Sequence, residues 1–409
     1  AESLLKQCLE IRKKVLGLEH PETVTSLNDL ALVYFAIDQF EKAETLFKEA
    51  LDISKKVSGL QHPKTVISLH NLGFFYSFND FKKAETLFKE ALEMSKKVSG
   101  LQHPNTTVVL RSLGNLYRSF GEDEKGNKFL RTSLVSNLKF IKRELPLLPL
   151  SNRREFTDRH AFNNQIYNNL DRNIFNKELA IFSSINTRGL LEEIEKRQTK
   201  LKFLEIPQKE IANQLKIINQ KISNSKVDQK QIQALSKEKE KLEKKLYRLI
   251  PPLQTTIFSI EDLAEVMPNN SILIEYVRYY PYKNGKRKSP RYLALVLDPI
   301  KNEFDENGIS SKYKIYSFDL GLAEPLENKI KKALISIEEG LSDAPQLLKD
   351  LGESIIKPLA TVIKESKTLF ITPDGELNKI PFAALGGYKG DKLLVDQIKI
   401  RLLTTGREL

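Results

Sequence analysis

The side chains able to do nucleophilic or metal chemistry are few in this sequence. Cys8 is the only cysteine among 409 residues, and the chain has five histidines. A cysteine nucleophile needs a histidine within hydrogen-bond reach of its thiol, and a zinc ion needs ligand atoms within about 2 Å. Since a single thiol cannot form an internal disulfide, the composition suits a reducing compartment, and we predict a cytoplasmic protein.

Three histidines recur at the same place in three similar segments. His20, His62 and His103 each precede a proline. Proline is favourable in the first turn of a helix, where its missing N–H has no partner to lose, so each His-Pro pair predicts a helix start. Because successive histidines would be about one segment width apart, they are too far from each other to share an ion. We therefore predict no metal site, and we expect no cofactor.

The three segments form an internal repeat. Residues 18–59 are followed by a second copy at 60–100 and a weaker third copy at 101–140, and His20 lies 42 positions before His62. A fixed period of this length is typical of stacked structural repeats. Each copy predicts a pair of packed helices.

The apolar positions of the first copy define the two helix faces. They are Leu27, Leu30, Ala31 and Tyr34, then Ala43, Phe47, Ala50 and Leu51. Steps of three and four place each set on one side of a helix. Small residues at equivalent positions, Ala31, Gly73 and Gly114, would let the two helices of a copy approach closely. Residues 1–17 match the second helix of a further copy, which predicts a truncated front and makes Cys8 a small packing residue rather than a nucleophile.

This 42-residue helical repeat resembles the tetratricopeptide repeat in the form found in kinesin light chains. The resemblance covers residues 1–140, with a partial repeat at 1–17. It implies an α-solenoid whose concave face holds a protein or peptide partner. A kinesin-light-chain-like adaptor is one hypothesis, although such adaptors need no sheet after their repeats.

Residues 141–260 predict a helical linker that contains a basic helical hairpin. Lys196 to Arg248 hold 15 Lys/Arg and 6 Asp/Glu, which accounts for most of the net charge of +12. Charge along a helix is usually a solvated face, and no aromatic or Gly-rich RNA-binding signature accompanies it. Nucleic-acid binding through the hairpin is an alternative, but we do not expect it. No apolar stretch is long enough to span a membrane, so we expect no membrane partner.

Residues 261–409 change to short apolar strands separated by helices. The predicted strands are 272–280, 291–298, 312–321 and 368–372, and helix-period segments lie at 323–340 and 345–365. The first two strands predict a hairpin across a polar loop. Strands that alternate with helices favour an α/β sheet covered by helices.

Repeats, basic hairpin and strands in this order resemble proteins with a CHAT domain, a caspase-like module. The resemblance extends from about residue 200 and rests on "ILIEYVRY", "RYLALVLD", "LFITPDGELNKIPFAAL" and "IKIRLLTTGREL". It implies the N-terminal part of a caspase-like α/β domain from a bacterial cysteine peptidase. In that family the catalytic His and Cys follow the segment matching "TTGREL", whereas the last His and the only Cys here are His160 and Cys8. The resemblance therefore implies a chain truncated at both ends, without its catalytic dyad and inactive by itself.

Two hypotheses remain open for the whole molecule. In the first, the chain is the front of a caspase-like peptidase that cleaves a protein substrate when a partner binds the repeats. In the second, it is a non-catalytic scaffold with a degenerate CHAT domain. Single residues have modest predicted roles: Asp374 and Gly375 form a turn, Arg407 caps the sheet edge rather than contacting substrate, and residues 284–289 form an exposed hairpin loop.

Overall fold

The computed structural model describes most of the chain and divides it into two compact units, Ala1–Lys142 and Arg143–Leu409. The described residues are 2–58, 62–145, 148, 150–160, 164–167, 170, 174–190, 206–222, 229–248, 257–283, 286–304, 310–390 and 392–409.

The first unit consists of stacked helix pairs. Its helices are α1 (Glu2–Leu16), α2 (Pro21–Ala36), α3 (Phe40–Ser58), α4 (Pro63–Tyr76), α5 (Phe81–Ser99), α6 (Pro104–Ser119) and α7 (Asp123–Glu144). From α1 to α6 each helix packs on the next one, and their apolar faces form one continuous core. Gly114 of α6 lies against Leu130 of α7. The predicted helical solenoid is confirmed.

The close approach of paired helices depends on the small residues. A Cβ placed on Gly114 would lie 2.6 Å from Leu130 Cγ, and one placed on Gly73 would lie 2.9 Å from the Phe88 ring. Ala31 at the equivalent place is fully buried. A larger side chain at these positions would push the two helices of a repeat apart.

The repeat histidines act as helix caps. His20, His62 and His103 have extended backbones, and each Nδ1 accepts the N–H of the residue two positions on, at 3.2 Å. Helix N-termini leave such N–H groups unpaired, and a side-chain acceptor satisfies one of them. The predicted helix starts are confirmed, and histidine supplies the acceptor beside the proline.

The second unit combines helices with a mixed sheet. Its helices are α8 (Leu150–His160), α9 (Ile174–Thr187), α10 (Ile206–Ile222), α11 (Gln229–Arg248), α12 (Ile260–Val266), α13 (Ala323–Glu338), α14 (Ala344–Ile355) and α15 (Ala360–Ile363). Its strands are β1 (Ser271–Tyr279), β2 (Tyr282–Lys283), β3 (Lys286–Arg287), β4 (Arg291–Phe304), β5 (Ser310–Leu322), β6 (Thr368–Thr372) and β7 (Lys399–Leu402). α10 and α11 contact each other as the predicted hairpin requires, but its turn at 223–228 lies outside the described residues.

The main sheet has the strand order β5-β4-β1-β6-β7. β1 is antiparallel to β4 and parallel to β6, and β6 is parallel to β7. The predicted hairpin of the first two long strands is therefore present, with β2 and β3 in its loop. The apolar run after β6 forms short 3₁₀ turns, in which Phe382 and Leu385 are buried beneath the sheet.

Helices cover both faces of this sheet. Ile272, Ile274 and Tyr276 of β1 pack with α13, α14 and α15. β1 side chains alternate between the two faces, so Leu273 and Glu275 point to the opposite face, where α9 contacts β1, β4 and β5 and α12 contacts β4 and β5. α9 comes from the segment predicted as a linker, so that segment also contributes a layer to the sheet. The predicted limits at 141 and 260 remain a prediction.

Candidate functional site

The two central parallel strands separate at their carboxyl ends. β6 ends at Thr372, which pairs with Glu275, whereas β1 continues to Tyr279 against β4. Backbone groups of β1 beyond this point lose their strand partner and need another one. In open α/β sheets, ligands bind outside the carboxyl ends of the strands, at such crevices. This edge of the sheet is therefore the candidate functional site.

The turn after β6 supplies an acceptor to the interrupted ladder. Asp374 Oδ2 accepts the N–H of Arg278 at 2.7 Å, and Oδ1 accepts the N–H of Gly375 at 2.8 Å. Gly375 has φ +57°, and a Cβ there would lie 2.6 Å from the Tyr292 hydroxyl, so only glycine fits. Asp374 and Gly375 therefore form the predicted turn, and Asp374 also extends the β1 ladder past the end of β6.

A guanidinium from the end of α9 supplies the matching donors. Arg188 Nη1 donates to the Tyr276 carbonyl at 2.9 Å and lies 3.4 Å from the Thr372 carbonyl, while Nη2 donates to the Pro373 carbonyl. One side chain thus satisfies carbonyls of both strands where they separate. Sequence reasoning missed Arg188, because a single arginine in a helical segment has no spacing pattern that marks it.

A fully buried carboxylate holds that guanidinium. Glu275 Oε2 accepts the Ser184 hydroxyl at 2.8 Å and Arg188 Nη1 at 2.8 Å, and Oε1 accepts the Gly406 N–H at 3.1 Å. A buried carboxylate is very unfavourable unless it is paired and hydrogen-bonded, and here three donors surround it. A signal existed in the sequence: Glu275 interrupts the apolar strand "SILIEYV".

The last residues of the chain close over this pair. A Cβ on Gly406 would lie 2.8 Å from Glu275 Oε1, so the backbone comes as near as glycine allows. Arg407 Nη2 donates to the Arg188 carbonyl at 2.6 Å. Arg407, which was predicted to cap the sheet edge, thus ties the C-terminal segment to the end of α9. We call Ser184, Arg188, Glu275, Thr372 and Gly406 the Arg188–Glu275 cluster.

The cluster fixes the shape of the edge. Its cation, anion and hydroxyl groups hydrogen-bond to one another and to backbone carbonyls. The only thiol lies in the other unit, where half-buried Cys8 has its Sγ 3.9 Å from Ser26 Oγ. The His160 side chain lies outside the described residues, as do residues 284 and 285 of the predicted loop.

Among the histidines whose side chains the structure describes, His70 is not a cap. His70 on α4 places Nε2 2.9 Å from the Ser112 hydroxyl of the next repeat, and its ring centroid lies 5.5 Å from that of Phe88. Burial is the main cause that lowers the pKa of His70 to about 4. In the folded repeats the His70 ring is therefore held in its neutral form.

The first prediction concerns pH. An unfolded histidine has a pKa of about 6.5, so between that value and about 4 the unfolded chain binds a proton that folded His70 does not. The repeat unit should then lose roughly 1–2 kcal/mol of stability as the pH falls from about 6.5 to about 4.5. Hydrogen exchange of the α4 and α5 amides in increasing urea, at several pH values, measures this loss. His70→Gln should remove that part of the pH dependence, and an unchanged dependence in this variant would contradict the assignment.

Two protein families match parts of this chain. The tetratricopeptide repeat family matches residues 1–56, 37–97 and 65–134. The CHAT domain matches residues 345–409.

The chain carries tetratricopeptide repeats followed by a CHAT domain. Both predicted resemblances are confirmed, and the CHAT match contains β6, the Asp374 turn, β7 and Gly406. Tetratricopeptide repeats generally mediate protein–protein interactions. The part of the CHAT resemblance predicted before residue 345 falls outside the matched region.

Solved structures show only distant similarity. BtubC (BKLC) from P. vanneervenii is 22% identical over 34% of this chain and 56% of that chain, with a TM-score of 0.31. The nearly identical TPR-like repeats of a Podosopora anserina protein described as a putative kinesin light chain are 22% identical over 50% of this chain and 88% of that one, with a TM-score of 0.32. This chain thus spans 56% of the length of BtubC. A comparison with curated proteins found no match.

A membrane-spanning helix must be long and predominantly apolar. Within the part of the chain that the structure describes, no helix combines the length and the apolar character that crossing a bilayer requires.

Proposed function

We propose that this chain is the front part of a caspase-like cysteine peptidase, in which the tetratricopeptide repeats form a protein-binding arm that regulates the CHAT domain. The observation that carries the proposal is the CHAT match over β6, its turn and β7, at the edge where β1 and β6 separate. The Arg188–Glu275 cluster supports it, because it holds this edge rigid from both the α9 side and the C-terminal side.

The catalytic groups are proposed to come from residues that follow Leu409 in the whole protein. After His160 the sequence contains neither histidine nor cysteine, and a thiolate nucleophile needs both within about 3 Å of each other. The 409-residue chain alone should therefore not cleave peptides. Its role in the whole molecule is to supply strands of the sheet that would position the catalytic histidine and cysteine.

Sequencing the reading frame past the codon for Leu409 tests this proposal. We expect a histidine and then a cysteine, each at the end of a predicted strand. In the protein so encoded, Cys→Ala should reduce peptide cleavage at least about a thousandfold, because the nucleophile is lost, while partner binding by the repeats stays unchanged. A stop codon at this place would contradict the proposal.

A non-catalytic scaffold is the second candidate. The observation that favours it is the location of the only thiol, Cys8, in a repeat helix, with its Sγ nearest Ser26. A stop codon, or a continuation without both residues, would select it. The repeats would then be the place of function.

A further inference from the structure

The end of α9 and the last residues of the chain hold each other. Thr405 Oγ1 lies 3.5 Å from the Ile185 carbonyl oxygen, and Arg407 Nη2 donates to the Arg188 carbonyl at 2.6 Å. The last carbonyls of a helix have no partner within the helix, so the C-terminal segment caps α9. A Cβ placed on Gly189 would lie only 3.2 Å from the Thr405 methyl group, which shows how closely the segment approaches.

The buried carboxylate of Glu275 binds both of these elements. Ser184 and Arg188 donate to it from α9, and the Gly406 N–H donates to it from the C-terminal segment. If α9 moved away, this fully buried carboxylate would lose two of the three donors named here, and water would have to replace them. Water at Glu275 would in turn compete with the Gly406 N–H. The two contacts are therefore coupled through one buried charge.

The C-terminal segment, residues 404–409, forms a small turn of its own. The Thr404 N–H donates to Glu408 Oε2 at 3.0 Å, and the Glu408 N–H donates to the Thr405 carbonyl at 3.1 Å. Just before this turn, the Leu403 N–H donates to a β6 carbonyl at 2.9 Å. Hinges lie in loops or where a regular element ends, so a pivot after Leu403 would let the segment leave the sheet edge as one piece.

We propose that the end of α9 and residues 404–409 form a conformational latch at Glu275, in which release of either element releases the other. In the sequence, α9 lies between the repeats and β1, and residues 404–409 precede those to which we assign the catalytic groups. A movement of α9 would thus reach the catalytic half through this segment. That regulatory meaning rests on the proposed function, whereas the latch itself is a property of this chain.

Reciprocal substitutions in the whole chain test the latch, with hydrogen exchange of single amides as the readout. The Arg188 N–H, which donates to the Ser184 carbonyl, reports on α9, and the Gly406 N–H reports on the segment. Ser184→Ala removes a donor to Glu275 on the α9 side and should speed exchange of the Gly406 amide at least about threefold. Arg407→Met acts on the segment side and should likewise speed exchange of the Arg188 amide, because coupling is reciprocal.

A reversible disulfide tests the closed state directly. A Cβ on Gly189 would lie 3.6 Å from Thr405 Cβ, and a disulfide needs about 3.5–4.5 Å between these atoms. The Gly189→Cys/Thr405→Cys variant, with Cys8→Ala to remove the other thiol, should exchange at least about tenfold more slowly at the Arg188 and Gly406 amides when oxidised than when reduced. Because Gly189 has a positive φ, the reduced form of the same variant is the reference.

Ser336→Ala is the matched control for Ser184→Ala. Ser336 is also a buried helical serine that donates to a carboxylate in this unit, that of Asp343, and its loss should leave both reporter amides within about twofold. Three results would overturn the latch: each substitution affects only the amide on its own side, the oxidised disulfide protects one amide and not the other, or both amides exchange only as slowly as the β1 core. A stop codon after Leu409 would refute the peptidase and leave these rates unchanged, whereas independent exchange would refute the latch and leave the peptidase proposal standing.

Discussion

Replacing Arg188 with methionine should lower the free energy of unfolding of the sheet unit by about 3–5 kcal/mol. The substitution keeps an apolar stem of similar length but leaves the fully buried Glu275 carboxylate without its cation. It also removes the donor to the Tyr276 and Pro373 carbonyls, where β1 and β6 separate.

Hydrogen exchange of β1 and β6 amides in increasing urea measures this loss apart from the repeat unit. Arg291→Met is the matched control, because Arg291 pairs with exposed Asp319 at the surface, where such pairs contribute about 0.2–1 kcal/mol. Adding Glu275→Gln to Arg188→Met should recover part of the stability, since no buried charge then remains. A loss below about 1 kcal/mol in Arg188→Met would show that the buried pair does not hold this edge.

Replacing Phe88 with alanine should destabilise the repeat unit by about 3–5 kcal/mol. The ring is 1% exposed and packs against α4 between His70 and Gly73. Since Gly73 has no side chain, this position contributes nothing that could fill the cavity left by the ring. Poor relaxation around a cavity places the effect at the high end of the range.

We expect Gly73→Ala to have opposite effects on stability in the wild-type protein and in the Phe88→Ala variant. In the wild-type protein a methyl at Gly73 would lie 2.9 Å from the Phe88 ring, so Gly73→Ala should destabilise. In the Phe88→Ala background the clash with the ring is absent, and Leu87 Cβ lies 3.3 Å from the added methyl. Because the substitution also removes a helical glycine, we expect it to restore about 1 kcal/mol. Urea unfolding of the four proteins completes the cycle.

An exposed ring provides the control for Phe88. Phe78 is 58% exposed, so Phe78→Ala should cost less than about 1 kcal/mol. If Phe78→Ala and Phe88→Ala destabilised equally, or if Gly73→Ala acted in the same direction in both backgrounds, the packing account of the repeat would be wrong.

The repeat unit could be predicted from sequence because its determinants are local. A helix start depends on a His-Pro pair, and the helix spacing depends on one small residue per copy, such as Gly73 or Gly114. These features recur once in each repeat of about 42 residues. Even here the structure added a detail, since the histidine Nδ1 accepts the hydrogen bond that caps the helix.

The strands of the sheet could be predicted for the same reason. Apolar runs and turn residues lie next to each other in the chain, and Asp374-Gly375 marked the turn at which β6 ends. The C-terminal resemblance added the identity of the domain. None of these features specifies which distant side chains meet at the carboxyl edge.

Which side chains come into contact at the carboxyl edge of the sheet was decided by tertiary structure alone. Ser184 and Arg188 reach Glu275 across 91 and 87 positions of sequence, and Gly406 reaches it across 131. Their roles exist only because β6 ends while β1 continues and because α9 packs on that face. The sequence by itself determined the repeats, the strands and the turn, through contacts between near neighbours. The fold decided the site, because a buried carboxylate and a strand end without a partner are satisfied only by groups that packing brings together.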